Sequence, residues 1–204
     1  MHKSSYSKME WFKNSYLDLS KNLEILDVGS LDHKGDYNYS TIFNEENWNY
    51  TGLDLVGGNN VDIVVTDIYN WFEIEDNTYD VVVSGQYFEH LEFFWLTMSQ
   101  IERVLKPGGY VCIIAPSDGP KHGKQVKNCY KFYEDGLKAL AKYVGMETIH
   151  ASVDESEESA PWHDSCLVAR KAGTISQKNT QELETRITNL EGKLDSILDA
   201  LNKK

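Results

Sequence analysis

Cysteine is scarce in this sequence: three residues, Cys112, Cys129 and Cys166, stand far apart in a chain of 204. No two form a CxxC pair, and an odd, dispersed set suits reduced thiols in a cytoplasmic protein better than a disulfide framework. Long apolar runs are missing too. Nothing approaches the roughly 20 residues needed to span a bilayer, and the polar stretch from Met1 to Glu10 lacks the apolar segment of a secretory signal. The Asn38-Tyr39-Ser40 triplet therefore reads as a chance match to a glycosylation acceptor. Basic residues are outnumbered, 20 against 32 acidic, for a formal net charge of −12. Binding phosphates normally needs a basic face, so this balance argues against nucleic acid as a partner. It leaves room for a small substrate in a locally basic pocket.

What is present is an ordinary globular composition, 41% apolar and 25% charged, long enough for one domain with a real core and an appendage. Trp11, Phe12, Tyr16, Leu17 and Leu19 space out as a short amphipathic helix over Met9 to Leu19. Short apolar runs predict strands at Leu23 to Val28, Tyr50 to Asp54, Val61 to Val65, Tyr79 to Ser84 and Tyr110 to Ala115. A helical pattern over Leu91 to Leu105 stops at the turn signal Lys106-Pro107-Gly108-Gly109. Another helix is expected from Phe132 to Val144, then strands at Met146 to Ala151 and Ser165 to Arg170. Strands alternating with helices imply a doubly wound parallel α/β sheet covered on both faces. The last two strands lack a helix between them, so the final one is expected antiparallel.

The domain is expected to end near Lys171, with a polar linker to Asn179. Beyond it Leu183, Ile187, Leu190, Leu194, Ile197 and Leu201 alternate steps of four and three, the seam of a coiled-coil helix over residues 180–204. Asn179 and Glu182 suit a capping box at its start. Homo-oligomerisation through this helix is the expectation, with docking on its own domain as the plainer alternative.

In open α/β sheets, ligands bind outside the carboxyl ends of the strands, so the residues just after each strand matter most. They are Asp27, Gly29 and Ser30 after the first, Asp54 and Leu55 after the second, Asp67 and Ile68 after the third, and Ser84 and Gly85 after the fourth. A glycine at such an end lets backbone approach a ligand, and a carboxylate grips amino or hydroxyl groups. With the Leu-Asp-Val-Gly strand end, Asp54, Asp67, Glu89-His90 and the turn from Arg103 to Gly109, the chain resembles the class I S-adenosylmethionine-dependent methyltransferases from about Lys21 to Arg170. The resemblance implies a Rossmann-like seven-stranded sheet with its last strand antiparallel, and S-adenosylmethionine as cofactor. It puts the methionine part on Asp27, Gly29 and Ser30, the ribose on Asp54, the adenine on Asp67 and Ile68, and a further contact on Ser84 and Gly85. The family's loop glycines are replaced here by Leu31 and His33, with Gly35 as a displaced turn glycine. That same replacement counts against a nicotinamide dehydrogenase, whose pyrophosphate needs a Gly-rich turn. The stretches Asn60 to Val64 and Glu89 to Trp95 resemble small bacterial methyltransferases of surface-sugar biosynthesis.

Candidates for chemistry follow from position. His90 and Glu89 stand just past the fourth strand, and His163 precedes the last. Any of these is suited to act as a proton acceptor for a small-molecule nucleophile, and each is equally suited to bracing the structure. Lys121, His122, Lys124 and Lys127 form a basic island where a substrate enters, and Trp162 is placed to cover a sugar or ring. Asp32, His33 and Asp36 have no spacing that fixes a metal, so none is expected. The rival from another class is a non-catalytic protein that keeps the fold and recruits partners through its carboxy-terminal helix.

Overall fold

The computed structural model describes residues 2–32, 38–121 and 127–173. The chain divides into one compact unit, Met1–Ala172, and a second, Gly173–Lys204. The expected coiled-coil helix lies outside the described residues.

The first unit runs α1 (Lys3–Tyr16), β1 (Leu23–Val28), β2 (Trp48–Asp54), β3 (Ile63–Val64), β4 (Tyr79–Gly85), α2 (Phe94–Val104), β5 (Leu105–Pro116), α3 (Glu134–Tyr143), β6 (Glu147–Val153) and β7 (Asp164–Arg170). Seven strands form one sheet in the order β3-β2-β1-β4-β5-β7-β6. The pairings from β3 through β5 are parallel, and β7 runs antiparallel to both its neighbours. β7 is thus inserted between β5 and β6 rather than added at the rim. The order reverses between β1 and β4, which places the switch point at their carboxyl ends.

β1 and β4 carry apolar residues on both faces because both faces of the sheet are covered. Leu26, Val28, Val82, Val111 and Ile113 face α2 and α3, packing with Met98, Ile101, Leu137 and Leu140. The alternate residues Ile25, Val81, Val83, Cys112 and Ile114 face the other way, toward Met9 and Phe12 of α1. Burial raises the Cys112 thiol well above its ordinary value, in keeping with an inert core thiol.

Three of the differences from the expected boundaries have a plain physical reason. α1 begins six residues early, because its buried stripe starts at Ser5, whose hydroxyl lies 2.8 Å from that of Tyr39. A polar residue in a core position leaves no apolar signal. β3 is only two residues long, since Asp62 is drawn to the backbone N–H of Gly52 at 2.8 Å. The turn at Lys106 to Gly109 is absorbed into β5 as an irregularity opposite Tyr79 and Val81, with Gly108 at φ +84°.

Candidate active site

Gly29 turns the chain out of β1 at φ +82°. Few side chains tolerate that conformation, and a Cβ there would lie 2.3 Å from the Tyr87 ring. The N–H groups of Gly29 and Ser30 both donate to the Leu53 carbonyl, at 2.9 and 3.1 Å, tying the turn to β2. The Ser30 hydroxyl donates to the Asn60 carbonyl at 2.6 Å, and the Asn60 amide returns 3.0 Å bonds to the Ser30 carbonyl and the Tyr50 hydroxyl. Tyr50 in turn donates to Asp27 Oδ2 at 2.5 Å. Ser30 is therefore committed to a latch between two loops. Asp27 is 3% exposed. Burial outweighs the tyrosine bond and Asp54 adds repulsion, so the Asp27 carboxyl is raised to about 7.

Asp54 closes β2. Its Oδ1 accepts from the Leu55 N–H at 2.7 Å and weakly from Val56 at 3.4 Å, and its Oδ2 accepts from the Leu31 N–H at 3.2 Å. A carboxylate has about four acceptor positions, so Asp54 is held by backbone with capacity left for a ligand. The apolar Leu55 and Val56 lie exposed beside it. Leu31, standing where a glycine was expected, packs over Gly58, at which a Cβ would lie 2.5 Å from Leu31 Cδ1. The space a glycine would have given on one loop is supplied by a glycine on the facing loop. His33 and Gly35 lie outside the described residues.

Asp67 is exposed beyond β3, and its Oδ1 accepts from the Tyr69 N–H at 2.9 Å. Ile68 departs from expectation: its side chain is in the core, and its carbonyl accepts from Trp71 Nε1 at 2.9 Å and Thr97 Oγ1 at 3.3 Å. The fully buried Trp71 draws it inward. Ser84 is also buried, donating to the Val28 carbonyl at 2.8 Å and stitching β4 to β1. Gly85 admits the Tyr39 hydroxyl, which would sit 1.8 Å from a Cβ.

Past β4, Glu89 is 1% exposed and neither carboxylate oxygen has a hydrogen-bond partner among the described residues. Burial pushes its carboxyl up to about 8. The Lys127 carbonyl faces His90 Nδ1, and a carbonyl only accepts, so Nδ1 carries the hydrogen. Nε2 then faces Glu89, with Oε1 3.5 Å away. Burial lowers the His90 pKa. Burial thus opposes charge on both members of the pair.

His163 sits at φ +44° with Nδ1 3.1 Å from the Asp154 carbonyl. Trp162 stacks on His2 with centroids 5.9 Å apart, beneath Lys131 Nζ at 5.1 Å. Lys121 is exposed, His122 and Lys124 lie outside the described residues, and Lys127 is paired with Glu92. Sequence reasoning missed Asp164, which is fully buried and accepts from Ser4 Oγ at 2.6 Å and Gln86 Nε2 at 2.9 Å. Among the described residues no group of three His, Cys, Asp or Glu side chains is placed to hold a metal.

Residues 34–113 match the model of a methyltransferase domain family. The fold is one that methyltransferases share. A methyltransferase from Aquifex aeolicus superposes with a TM-score of 0.59 at 16% identity, over 81% of this chain and 90% of that one. The 1,6-didemethyltoxoflavin-N1-methyltransferase of Burkholderia thailandensis, solved with its substrate and S-adenosylhomocysteine, gives 0.56 at 18%, over 83% and 84%. The cyclase SpnF gives 0.62 at 15%, over 81% and 80%. At such identities the likeness is one of fold. No curated relative matches the sequence.

The matched methyltransferase family and the Burkholderia structure point to S-adenosylmethionine as the cofactor, and the residues here fit it. Asp54 keeps acceptor capacity beside the apolar lip of Leu55 and Val56. Of the described helices, none is long and apolar enough to cross a membrane.

Proposed function

We propose that this chain transfers the methyl group of S-adenosylmethionine to a hydroxyl oxygen of a small sugar or polysaccharide precursor. The observation that carries the reading is the position of Gly29, Asp54 and Gly85 at the carboxyl ends of the neighbouring strands β1, β2 and β4, with Glu89 and His90 following β4 at the same edge. When bound, the cofactor supplies an electrophilic methyl on a cationic sulfonium. Asp54 grips the ribose, Asp27 and the Gly29 turn border the methionine part, and Asp67 meets the adenine. Glu89 and His90 hold or move the acceptor's proton, and Trp162 covers the acceptor. Most of the rate enhancement comes from in-line alignment and exclusion of water. The sugar assignment is supported by the likeness of Asn60 to Val64 and Glu89 to Trp95 to surface-sugar methyltransferases. We place the protein in the cytoplasm, as a homo-oligomer joined through residues 180–204.

Calorimetry tests the cofactor step. S-adenosylmethionine and S-adenosylhomocysteine bind at micromolar concentration, and Asp54→Ala weakens both about 100-fold by removing charge-assisted hydrogen bonds. A preference for a nicotinamide cofactor refutes the reading. Release of S-adenosylhomocysteine on adding candidate sugars separates an enzyme from a binding protein.

A further inference from the structure

Native proteins leave few buried polar atoms unpaired, and each one asks for a cause. The described residues contain three such side-chain atoms, Glu89 Oε1, Glu89 Oε2 and His2 Nε2. They belong to one neighbourhood. The Asp164 carboxylate is close enough to Glu89 for the two to repel, and His2 Nδ1 lies 3.4 Å from Asp164 Oδ2. Gln86, at the end of β4, binds the other Asp164 oxygen. Lys131 lies over Trp162, Trp162 stacks on His2, and Lys131 also acts electrostatically on Glu89. Orphaned groups thus come from two sides, one after β4 and one before α1, onto the Asp164–Trp162 cluster.

Resting on the reading of this edge as the acceptor side, we propose that His2 and Glu89 are the two polar ends of an acceptor subsite that takes a neutral, hydroxyl-bearing small molecule and rejects anions. The donor and acceptor inventory sets the chemistry. Ser4 Oγ donates to Asp164, and His2 Nδ1 lies 3.0 Å from that same oxygen. Its Nδ1–H therefore points at Ser4 and Asp164, and Nε2 is left for a ligand. A carboxyl group that keeps its proton offers one donor and one acceptor. Hydroxyl groups complement both ends, because each donates and accepts. A carboxylate or phosphate only accepts, so it finds no donor at His2 Nε2 or at the Asp164 carboxylate, whose oxygens accept from Ser4 and Gln86. Lys131 is drawn instead to the Asp118 carbonyl and the Trp162 ring. The flat Trp162 ring beside them suits the carbon face of a sugar.

The test uses the full chain with a carboxy-terminal tag and labelled histidines, with and without S-adenosylhomocysteine. The His2 ring resonance, assigned by its loss in His2→Phe, is followed by NMR while methyl α-D-glucopyranoside or gluconate is added at matched concentrations. The proposal expects a shift with the glucopyranoside and none with gluconate, and loss of that shift in Glu89→Leu. Because Glu89→Leu removes an unpaired buried carboxyl, it also raises Tm by about 2–4 °C. Equal responses to both probes, silence to both, or a shift retained in Glu89→Leu overturns the subsite. Calorimetric failure of S-adenosylhomocysteine to bind overturns the methyltransferase reading instead, and the His2 titration is still read without it.

Discussion

The two halves of the strand-end edge are built on opposite principles. Around β1 and β2 the polar side chains named above are bonded: Tyr50 to Asp27, Asn60 to Ser30, and backbone N–H groups to Asp54. Around β4 and β7 the Glu89 carboxyl, which faces His90 Nε2 at 3.5 Å, and His2 Nε2 are buried without a hydrogen-bond partner among the described residues. A fully bonded network fixes geometry before a ligand arrives, which suits a cofactor of constant shape. Unpaired buried groups cost stability and await a partner, which suits a substrate that supplies the missing bonds. On the proposed function, the rigid half serves the cofactor and the unfinished half the acceptor.

The strongest attack on the rigid half is Gly29→Ala. A Cβ at φ +82° and 2.3 Å from the Tyr87 ring costs roughly 3 kcal/mol by strain and overlap, and S-adenosylhomocysteine binding goes with it. Gly136→Ala in α3 is the control: nothing lies within 4 Å of its Cβ, so helix propensity raises stability by up to about 1 kcal/mol. Denaturant titration of both variants reads the contrast, and equal effects would erase it.

Acidity probes both halves together. Asp27 and Glu89 have carboxyls raised from 3.8 and 4.5 to about 7 and 8. The folded chain therefore holds protons that the unfolded chain has released. Their contribution is complete below about pH 4 and is lost as pH rises toward 8, by at most about 1.4 kcal/mol per group per pH unit. Tm should fall between about pH 5 and pH 8. Asp27→Asn and Glu89→Gln should each flatten that slope; a slope untouched by either variant would mean that other groups set it.

The smallest effect tests the exchange of a glycine between loops. Gly58→Ala pushes on Leu31 Cδ1 and should weaken S-adenosylhomocysteine binding about tenfold, or ~1.4 kcal/mol. Leu31→Ala in the same protein should restore most of it. Additive losses would show that the two residues do not share that space.

Much of the rigid half was legible before folding. Gly29 and Asp54 announce themselves because each follows an apolar run, and glycine or a carboxylate has little reason to stand there except a turn or a ligand. The exposed carboxylate of Asp67 was legible for the same reason, whereas the burial of Ile68 was not: an isoleucine after a strand serves a ligand face or a core equally well, and here it packs in the core with Trp71. Tyr50 and Asn60 left no trace, since a hydroxyl and an amide say nothing of a partner across a loop. SpnF, a cyclase with a similar fold, illustrates that a fold alone does not specify a reaction.

By itself the sequence determined the strands, the alternation that covers both faces, and the glycine and carboxylates at the strand ends. These depend on local periodicity and residue type, which are written along the chain. Tertiary structure alone decided that β7 enters between β5 and β6, that Leu31 finds its room at Gly58, and that Ser4 meets Asp164 across 160 positions. Such contacts are fixed when distant segments are brought together by core burial, and no local pattern encodes which polar atoms are then left without a partner.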